Sequence, residues 1–287
     1  VVVVTYGGGR DLPACVDALR RQGEAVARIV VIDNASPDDT AARAAAIDGV
    51  EVVRNATNVG YAAAMNQGYA MSSAPYLLSL NADCVLGDGY VDACVAAVEA
   101  HDRAAAATGV LRLPNGLVDS SGIAMGAAYV AGERDRFEAT PSAAEPFGVS
   151  GAAALWRRAA LETLGAAPWW EWLFMYWDDV EICWRLRRRG WTFVTVADAS
   201  AVHRRGSDSA DPDFIEGLSL RNRLGAVARH AGVRGLVEPR SAAKTITTVA
   251  RLAVRHPAAL RRAQPIAAVG AGLRQRRKDE GYLPVAR

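Results

Sequence analysis

The chain is poor in aromatic residues, holds four cysteines and does not begin with methionine, and each scarcity narrows what it can be. Cys15, Cys84, Cys94 and Cys183 form no CxxC pair, so zinc knuckles and dithiol redox motifs are unsupported. Cys15 and Cys94 fall on expected amphipathic helices, where a thiol packs as a small hydrophobe. A reduced, cytoplasmic setting is the simpler expectation. No apolar run approaches the roughly 20 residues needed to cross a bilayer. No secretory leader is read, because the sequence opens directly on a strand-like run at residues 1–4. The absent initiator Met leaves room for a short upstream segment. Gly7-Gly8-Gly9-Arg10 comes nearest to a phosphate-binding glycine loop, but neither GxGxxG nor GxxxxGK[ST] occurs. No internal repeat is visible.

What remains is a folded α/β chain. Its 287 residues suit one large domain or a domain with an appendage, and 51% hydrophobic with 22% charged residues is a globular composition. The net charge of +2 is small but unevenly spread. From Gly225 onward the charges are nearly all basic: Arg229, Arg234, Arg240, Lys244, Arg251, Arg255, Arg261 and Arg262, then Arg274 and Arg276-Arg277-Lys278. Such a tail points to an anionic partner (membrane surface, nucleic acid or polyanionic substrate), or is simply a solvated helical face.

Residues 1–5 form a β-branched run of the kind buried in parallel sheets. Asp11 is placed to cap a helix with Pro13 in its first turn. Strands are expected at 28–33, 51–54 and 76–80, with helices at about 40–47, 62–71 and 88–101 between them. That alternation predicts a parallel sheet wrapped by helices. After about Ala107 the pattern loosens, and residues 109–147 read as hairpins and loops, a sub-sheet over the acceptor side. A strand at 149–155 brings Gly151 and other small residues to the cleft. A helix is expected at 180–189 and a strand at 192–196, with His203 just beyond. The remainder past Phe214 is helical, broken at Pro239, Pro257 and Pro265.

Three groups carry the chemistry. Asp33 ends a buried strand, where open α/β sheets place a base or ribose; the alternative is a turn or cap at Asn34. Asn81-Ala82-Asp83 ends the run 76–80 and looks like an Asp-x-Asp metal motif with Asn in first place. Asp83 could hold Mg²⁺ or Mn²⁺, although Asn and Asp are also ordinary turn residues. Asp178-Asp179 follows an apolar run and suits a base taking a proton from a hydroxyl nucleophile, or a helix cap. Glu181 and Arg185 read as an i,i+4 surface pair. His203 ends a strand and carries imidazole, a common metal ligand. Arg204, Arg205, Arg221 and Arg223 could neutralise a diphosphate. Trp169, Trp170 and Trp172 either stack on a sugar or base or pack on the core.

Taken together, the chain resembles the family 2 glycosyltransferases of the GT-A fold, particularly rhamnosyltransferase-like and galactofuranosyltransferase-like bacterial members. The resemblance runs from Val1 to about His230. Its pieces are residues 3–6 (VVTY), 31–36 (VIDNAS), 58–68 (NVGYAAAMNQG), 80–83 (LNAD), 151–158 (GAAALWRR), 174–185 (FMYWDDVEICWR) and 199–203 (ASAVH). Their order and spacing together are highly specific.

The resemblance implies metal-dependent, inverting transfer from a nucleoside diphosphate sugar, with dTDP- or UDP-sugars as leading donors. It places Thr5, Asp33, Asn58, Gly60, Asn66, Asn81 and Ala82 around the nucleotide sugar. Asp83 and His203 become metal ligands, with Mg²⁺ or Mn²⁺ as cofactor. Asp179 becomes the base, Asp178 orients hydroxyls, and Gly151 and Trp177 lie on the acceptor side. The expected division is a GT-A domain at 1–224, halved at 106/107, and a basic helical extension at 225–287. The acceptor is a glycan or lipid-linked sugar of the cell envelope. The basic end then makes peripheral contact at the inner face of the membrane, and no nucleic acid is involved. Three departures stand out: Asn81 lacks the charge of the first Asp, Gly7-Gly8-Gly9 replaces polar residues, and residues 166–170 replace a Gly-Gly-Phe-Asp type of loop. The competing readings are a sugar nucleotidyltransferase and a non-catalytic binder of nucleotide sugars.

Overall fold

The computed structural model describes residues 1–142, 144–205 and 211–280. The first half alternates as expected: β1 (Val2–Thr5), α1 (Leu12–Arg20), β2 (Ile29–Asp33), α2 (Thr40–Ala45), β3 (Val50–Arg54), α3 (Tyr61–Ala70) and β4 (Tyr76–Asn81). Then come β5 (Cys84–Leu86), α4 (Tyr90–Glu99), β6 (Ala104–Arg112), β7 (Val118–Ser120), β8 (Ile123–Gly126) and β9 (Val130–Glu133). β10 (Ala153–Arg157), α5 (Arg158–Glu162), α6 (Asp178–Arg188) and β11 (Thr192–His203) follow. The chain ends in α7 (Pro212–Val237), α8 (Pro239–Arg255), α9 (Pro257–Ala263) and α10 (Pro265–Glu280).

The main sheet runs β3-β2-β1-β4-β10-β6-β11-β5, with β7 added on β6, and β8 and β9 pair separately. β3, β2, β1 and β4 are parallel, β10 is antiparallel to β4 and β6, and β11 is parallel to β6. All five residues of β2, Ile-Val-Val-Ile-Asp, are buried, as a strand covered on both faces requires. Leu12, Val16 and Leu19 of α1 and Val91, Cys94 and Val98 of α4 pack on one face. Met65 of α3 and Ile182, Cys183 and Leu186 of α6 pack on the other.

Several expectations need correcting. β6 is a nine-residue central strand, although its Ala-Ala-Ala-Ala-Thr-Gly start has little strand propensity. Its small side chains leave room for the buried Tyr90, whose hydroxyl donates to Ala153 O (2.9 Å) and accepts from Gly109 N (2.8 Å). The strand expected at 149–155 is shifted to Ala153–Arg157. β11 is twelve residues long, so His203 is its last residue, not a residue beyond it. Asp11 stands at the N-cap of α1 without a capping bond; its carboxylate accepts from Arg204 Nη1 at 3.1 Å.

The described residues divide into two compact units. Residues 1–124, 132–174 and 178–205 form the first, and 125–131, 175–177 and 211–280 the second. The 224/225 division expected from sequence falls inside α7, and residues 281–287 of that extension lie outside the described residues. Pro239, Pro257 and Pro265 each open a helix, where the missing N–H of proline leaves no bond unmade. Within the second unit, Arg223 of α7 donates to Ala128 O (2.7 Å), Thr245 Oγ1 (2.8 Å) and Ser241 Oγ (3.2 Å). Among the described residues no helix is long and apolar enough to cross a membrane.

Candidate active site

β1 and β2 end side by side, with Thr5 opposite Asp33. Asp33 is fully buried; its Oδ2 accepts from Ser36 N at 3.3 Å, while its Oδ1 has no partner. Thr5 Oγ1 is likewise buried and unpaired. A buried polar atom without a partner costs about 1–3 kcal/mol, so two on neighbouring strand ends mark a place that a ligand completes. Gly8 keeps that place open: a Cβ there would lie 2.7 Å from Thr5 Oγ1 and 3.3 Å from Ala82 Cβ. Gly8 thus leaves space beside the Thr5 hydroxyl and Ala82.

Nearby, Asn34 Nδ2 donates to Gly60 O (3.2 Å), and Asn58 Oδ1 accepts from Gly60 N (2.9 Å). Gly60 has φ +86°, and a Cβ on it would come within 2.5 Å of the Phe174 ring. Asn81 ends β4 with its N–H donating to Ala152 O at 2.9 Å. Asn66 is not part of this group. Its amide nitrogen donates to Trp169 O (2.9 Å) and Glu171 Oε1 (3.0 Å), and its oxygen accepts from Trp169 N (2.9 Å). It braces α3 against the 169–171 turn. Trp169 packs edge-on against Trp156, 5.8 Å between centroids, in the core.

A second group forms at the end of β11, where His203 stands opposite Cys84 in the strand register. His203 Nε2 lies 3.3 Å from Asp83 Oδ1, and Nδ1 lies 2.7 Å from Asp119 Oδ2. Asp119 Oδ1 in turn accepts from Arg205 Nε at 2.7 Å, with Arg136 Nε at 3.5 Å. Burial opposes charge on the imidazole, but hydrogen bonds to Asp119 and Asp83 outweigh it and push its pKa up to about 9. Burial also opposes charge on Asp119, yet His203 and Arg205 hold its carboxyl below the usual range. A carboxylate fixing Nδ1 of a histidine whose Nε2 faces another carboxylate is the arrangement that orients a metal ligand. Asp83, Cys84 and His203 present ligand atoms within 4.8 Å of one another. The Asp83 oxygen and imidazole nitrogen fit a hard divalent cation. The Cys84 thiol, pushed well up by burial, belongs to the core.

Asp178 and Asp179 open α6, beyond Phe174, whose φ of +67° is strained for a residue with a side chain. Asp179 Oδ1 accepts from Val180 N (2.7 Å) and Oδ2 from Gly151 N (3.3 Å). Burial raises its pKa, and these N–H donors only partly offset the rise. Tyr61 Oη donates to Gly151 O at 3.0 Å. Glu133, on β9, is raised by burial and by the Asp179 charge. Its carboxylate accepts from Ser120 Oγ (2.5 Å) and Ser150 Oγ (3.1 Å), and Arg205 Nη2 lies 3.5 Å away. Arg205 therefore joins Glu133 to the histidine group, and Glu133 feels the Asp179 charge. Glu181 and Arg185 do not form the surface pair expected; they are a buried ion pair at 2.9 Å, with Arg185 also donating to Pro168 O.

The arginines expected at a diphosphate are committed in part. Arg204 pairs with Asp11, and Arg205 with Asp119 and Glu133. Trp177 and Arg221 belong to the second unit, where Arg221 Nε donates to Asn222 Oδ1 at 2.9 Å. Asn222 Nδ2 donates to both Met175 O and Tyr176 O at 2.8 Å. Asp119, Glu133 and Tyr61 were not foreseen from sequence. The two acids sit in a stretch read as loops, and no spacing marks them.

Residues 1–165 match the family model described as Glycosyl transferase family 2. The chain belongs to that family. This glycosyltransferase is 28% identical over 241 residues to the N-acetylglucosaminyl-diphospho-decaprenol L-rhamnosyltransferase of Mycobacterium tuberculosis, in strains CDC 1551 and H37Rv alike. The match covers 74% of this chain and 78% of the relative. Among solved structures it is similar to GalNAc-T7 with UDP, GalNAc and Mn²⁺ (TM-score 0.61, 17% identity), covering 79% of this chain and 47% of that one. It is also similar to the mannosyltransferase of Pyrobaculum calidifontis with GDP-Man and Mn²⁺ (TM-score 0.58, 15% identity), covering 97% and 86%. The fold is GT-A, and the chain is a family 2 glycosyltransferase.

Proposed function

We propose that this enzyme transfers a sugar, with inversion, from a nucleoside diphosphate donor to a hydroxyl of a glycan or lipid-linked acceptor in cell-envelope synthesis. The observation that carries the reading is the Asp83–His203 pair, held from behind by Asp119, with Arg205 bridging Asp119 to Glu133. Thr5 Oγ1 and Asp33 Oδ1 supply two acceptors to ribose or base N–H and O–H groups, with Ala82, Asn58, Gly60 and Asn81 around them. Asp83 and His203 Nε2 would hold Mg²⁺ or Mn²⁺; both neighbours described above contain Mn²⁺. When bound, the cation offsets the charge that builds on the leaving diphosphate. Asp179 takes the proton of the acceptor hydroxyl as its oxygen bonds to the anomeric carbon, while the bond from that carbon to the diphosphate breaks and its electron pair leaves with the nucleotide. Asp178 orients hydroxyls at the head of α6, with Gly151 on the acceptor side. Arg204 contributes positive charge toward the diphosphate.

The resemblance to an L-rhamnosyltransferase makes dTDP-rhamnose the first donor to test and UDP-sugars the second. A lipid-linked acceptor brings the enzyme to the inner face of the cell membrane from the cytoplasm. The test is release of nucleoside diphosphate from candidate donors with Mn²⁺ or Mg²⁺, followed by NMR assignment of the product's anomeric configuration. Release abolished in Asp179→Asn, with donor binding retained, supports the reading. Pyrophosphate release from a nucleoside triphosphate and a sugar 1-phosphate identifies a nucleotidyltransferase, binding without turnover identifies a silent relative, and a retained anomeric configuration overturns inversion.

A further inference from the structure

Charge is partitioned along this chain. Residues 239–280 carry ten Lys and Arg against two Asp and Glu, whereas residues 1–238 carry 22 against 29. Within the basic stretch, α8 is two-sided in an unusual way. Its inner side, Ser241, Thr245 and Leu252, faces its own unit, with Ser241 and Thr245 bonded to Arg223 and Leu252 fully buried. At 3.6 residues per turn, Ala243, Ile246, Ala250, Ala253 and Val254 share an outer arc. Ile246 is 68% and Val254 84% exposed. Arg240, Lys244, Arg251 and Arg255 lie together along one border of that arc, all exposed.

Neither half of this face is explained by folding. Branched aliphatic side chains in water contribute no burial, and a contiguous apolar arc of this kind marks an interaction surface more than isolated exposed aliphatics do. Of the bordering cations, Arg251 is held by Glu216 in a bidentate pair (2.7 Å and 2.9 Å). Arg240, Lys244 and Arg255 make no ion pair among the described residues. An apolar arc edged by uncompensated cations matches the layered chemistry of an anionic bilayer surface, with acyl chains below and phosphates above. A nucleic acid would satisfy the cations and leave Ile246 and Val254 in water. A second copy of this basic face would cover the aliphatics and set cation against cation.

We propose that the outer face of α8 docks on an anionic lipid surface, with Ile246 and Val254 entering the interface and Arg240, Lys244 and Arg255 meeting lipid phosphates. The contact is separate from transfer chemistry: it needs neither donor nor acceptor, so its failure and the failure of the proposed function are distinguishable. It gives the enzyme a second, sequence-independent hold on the surface where a lipid-linked acceptor resides.

The test is sedimentation of the full chain with vesicles of phosphatidylcholine alone or with 30% (about one third) phosphatidylglycerol, at low and high salt. Binding is expected only to the anionic vesicles and is weakened by salt. The triple variant Arg240→Gln/Lys244→Gln/Arg255→Gln loses binding by roughly fivefold per charge. Ile246→Asp/Val254→Asp loses it by at least tenfold, and both variants keep wild-type melting temperature and nucleoside diphosphate release with a water-soluble acceptor. No binding to anionic vesicles overturns the proposal. So does binding that the aspartate variant leaves intact, which marks a general polyanion site. A concentration-dependent dimer dispersed by Ile246→Asp assigns the face to a second copy, and overturns it as well.

Discussion

The ends of β1 and β2 and the end of β11 are both buried polar corners, yet they are finished differently. At β1 and β2, Thr5 Oγ1 and Asp33 Oδ1 have no partner. At β11, His203 is bonded on both ring nitrogens and Asp119 receives two arginines. The open corner carries a desolvation cost that a bound ligand would relieve. The closed corner is already paired, so its residues hold geometry, and removing one leaves another charge buried alone. The same kind of atom can thus be a vacancy for a substrate or a strut for a ligand, according to what its neighbours already satisfy.

That contrast can be broken in graded steps. The largest effect belongs to neither corner: Asp179→Asn lowers kcat by about 10²–10⁴, with donor affinity within twofold by calorimetry. A small loss of kcat would remove Asp179 from the base role. Next, Asp83→Ala or His203→Ala, in the closed corner, weakens Mn²⁺-dependent donor binding by roughly 10–100-fold and lowers the melting temperature. Asp119→Asn acts through His203, costing about tenfold in Mn²⁺ affinity measured without substrate, while apo donor affinity holds. In the open corner, Thr5→Val weakens nucleoside diphosphate binding by about 1 kcal/mol, and the melting temperature stays level or rises, because a buried unpaired hydroxyl is removed. A clear fall in melting temperature there would show that the hydroxyl has a partner after all.

The smallest effect is on pH. The pKa of His203 is raised from 6.5 to about 9, so its pairing stabilises the apo protein fully below pH 6.5 and fades as pH rises through 9. Asp119 is lowered, so its share persists at neutral pH and is lost only on strong acidification. Melting scans in EDTA should show the alkaline loss, and Mn²⁺, which requires a neutral imidazole, should reverse it. Turnover should rise with pH along an acid limb above the ordinary carboxylate range, because burial raises Asp179.

The legible part of the molecule was the part written in periodic apolar residues. β1 to β4 and α1 to α4 follow from β-branched runs and helical spacing, β5 does not, and the three prolines mark the starts of α8, α9 and α10. Asp33, Asp83, Asp179 and His203 stand at element ends that a pattern of strands and helices already implies. β6 was hidden because alanine favours helices and signals no strand; its role depends on Tyr90 filling the space it leaves. Asp119 and Glu133 were hidden because their function is relational. Nothing in Val-Asp-Ser-Ser or Ala-Gly-Glu-Arg marks an acid that meets His203, or Asp179, from far away in sequence. Asn66 misled in the opposite direction, since a polar residue on a helix inside a motif reads as a ligand until its amide is seen bonded to Trp169 and Glu171.

One irregularity of β11 governs where insertions can be borne. Val196 pairs with Gly109 and Ser200 with Val110, so three residues lie between consecutive partners, Ala197 and Asp198 exposed and Ala199 buried in the core. That loose stretch can take up a gained or lost residue. Past it, Gly87 N donates to Ser200 O at 2.8 Å, and Ala201, Val202 and His203 are locked in step with Leu86, Val85 and Cys84. Slack lies upstream and none downstream. A single residue added after Ser200 would carry the imidazole to the opposite side of the strand, so homologues of varied length should differ before that serine and keep the count of three from it to the histidine.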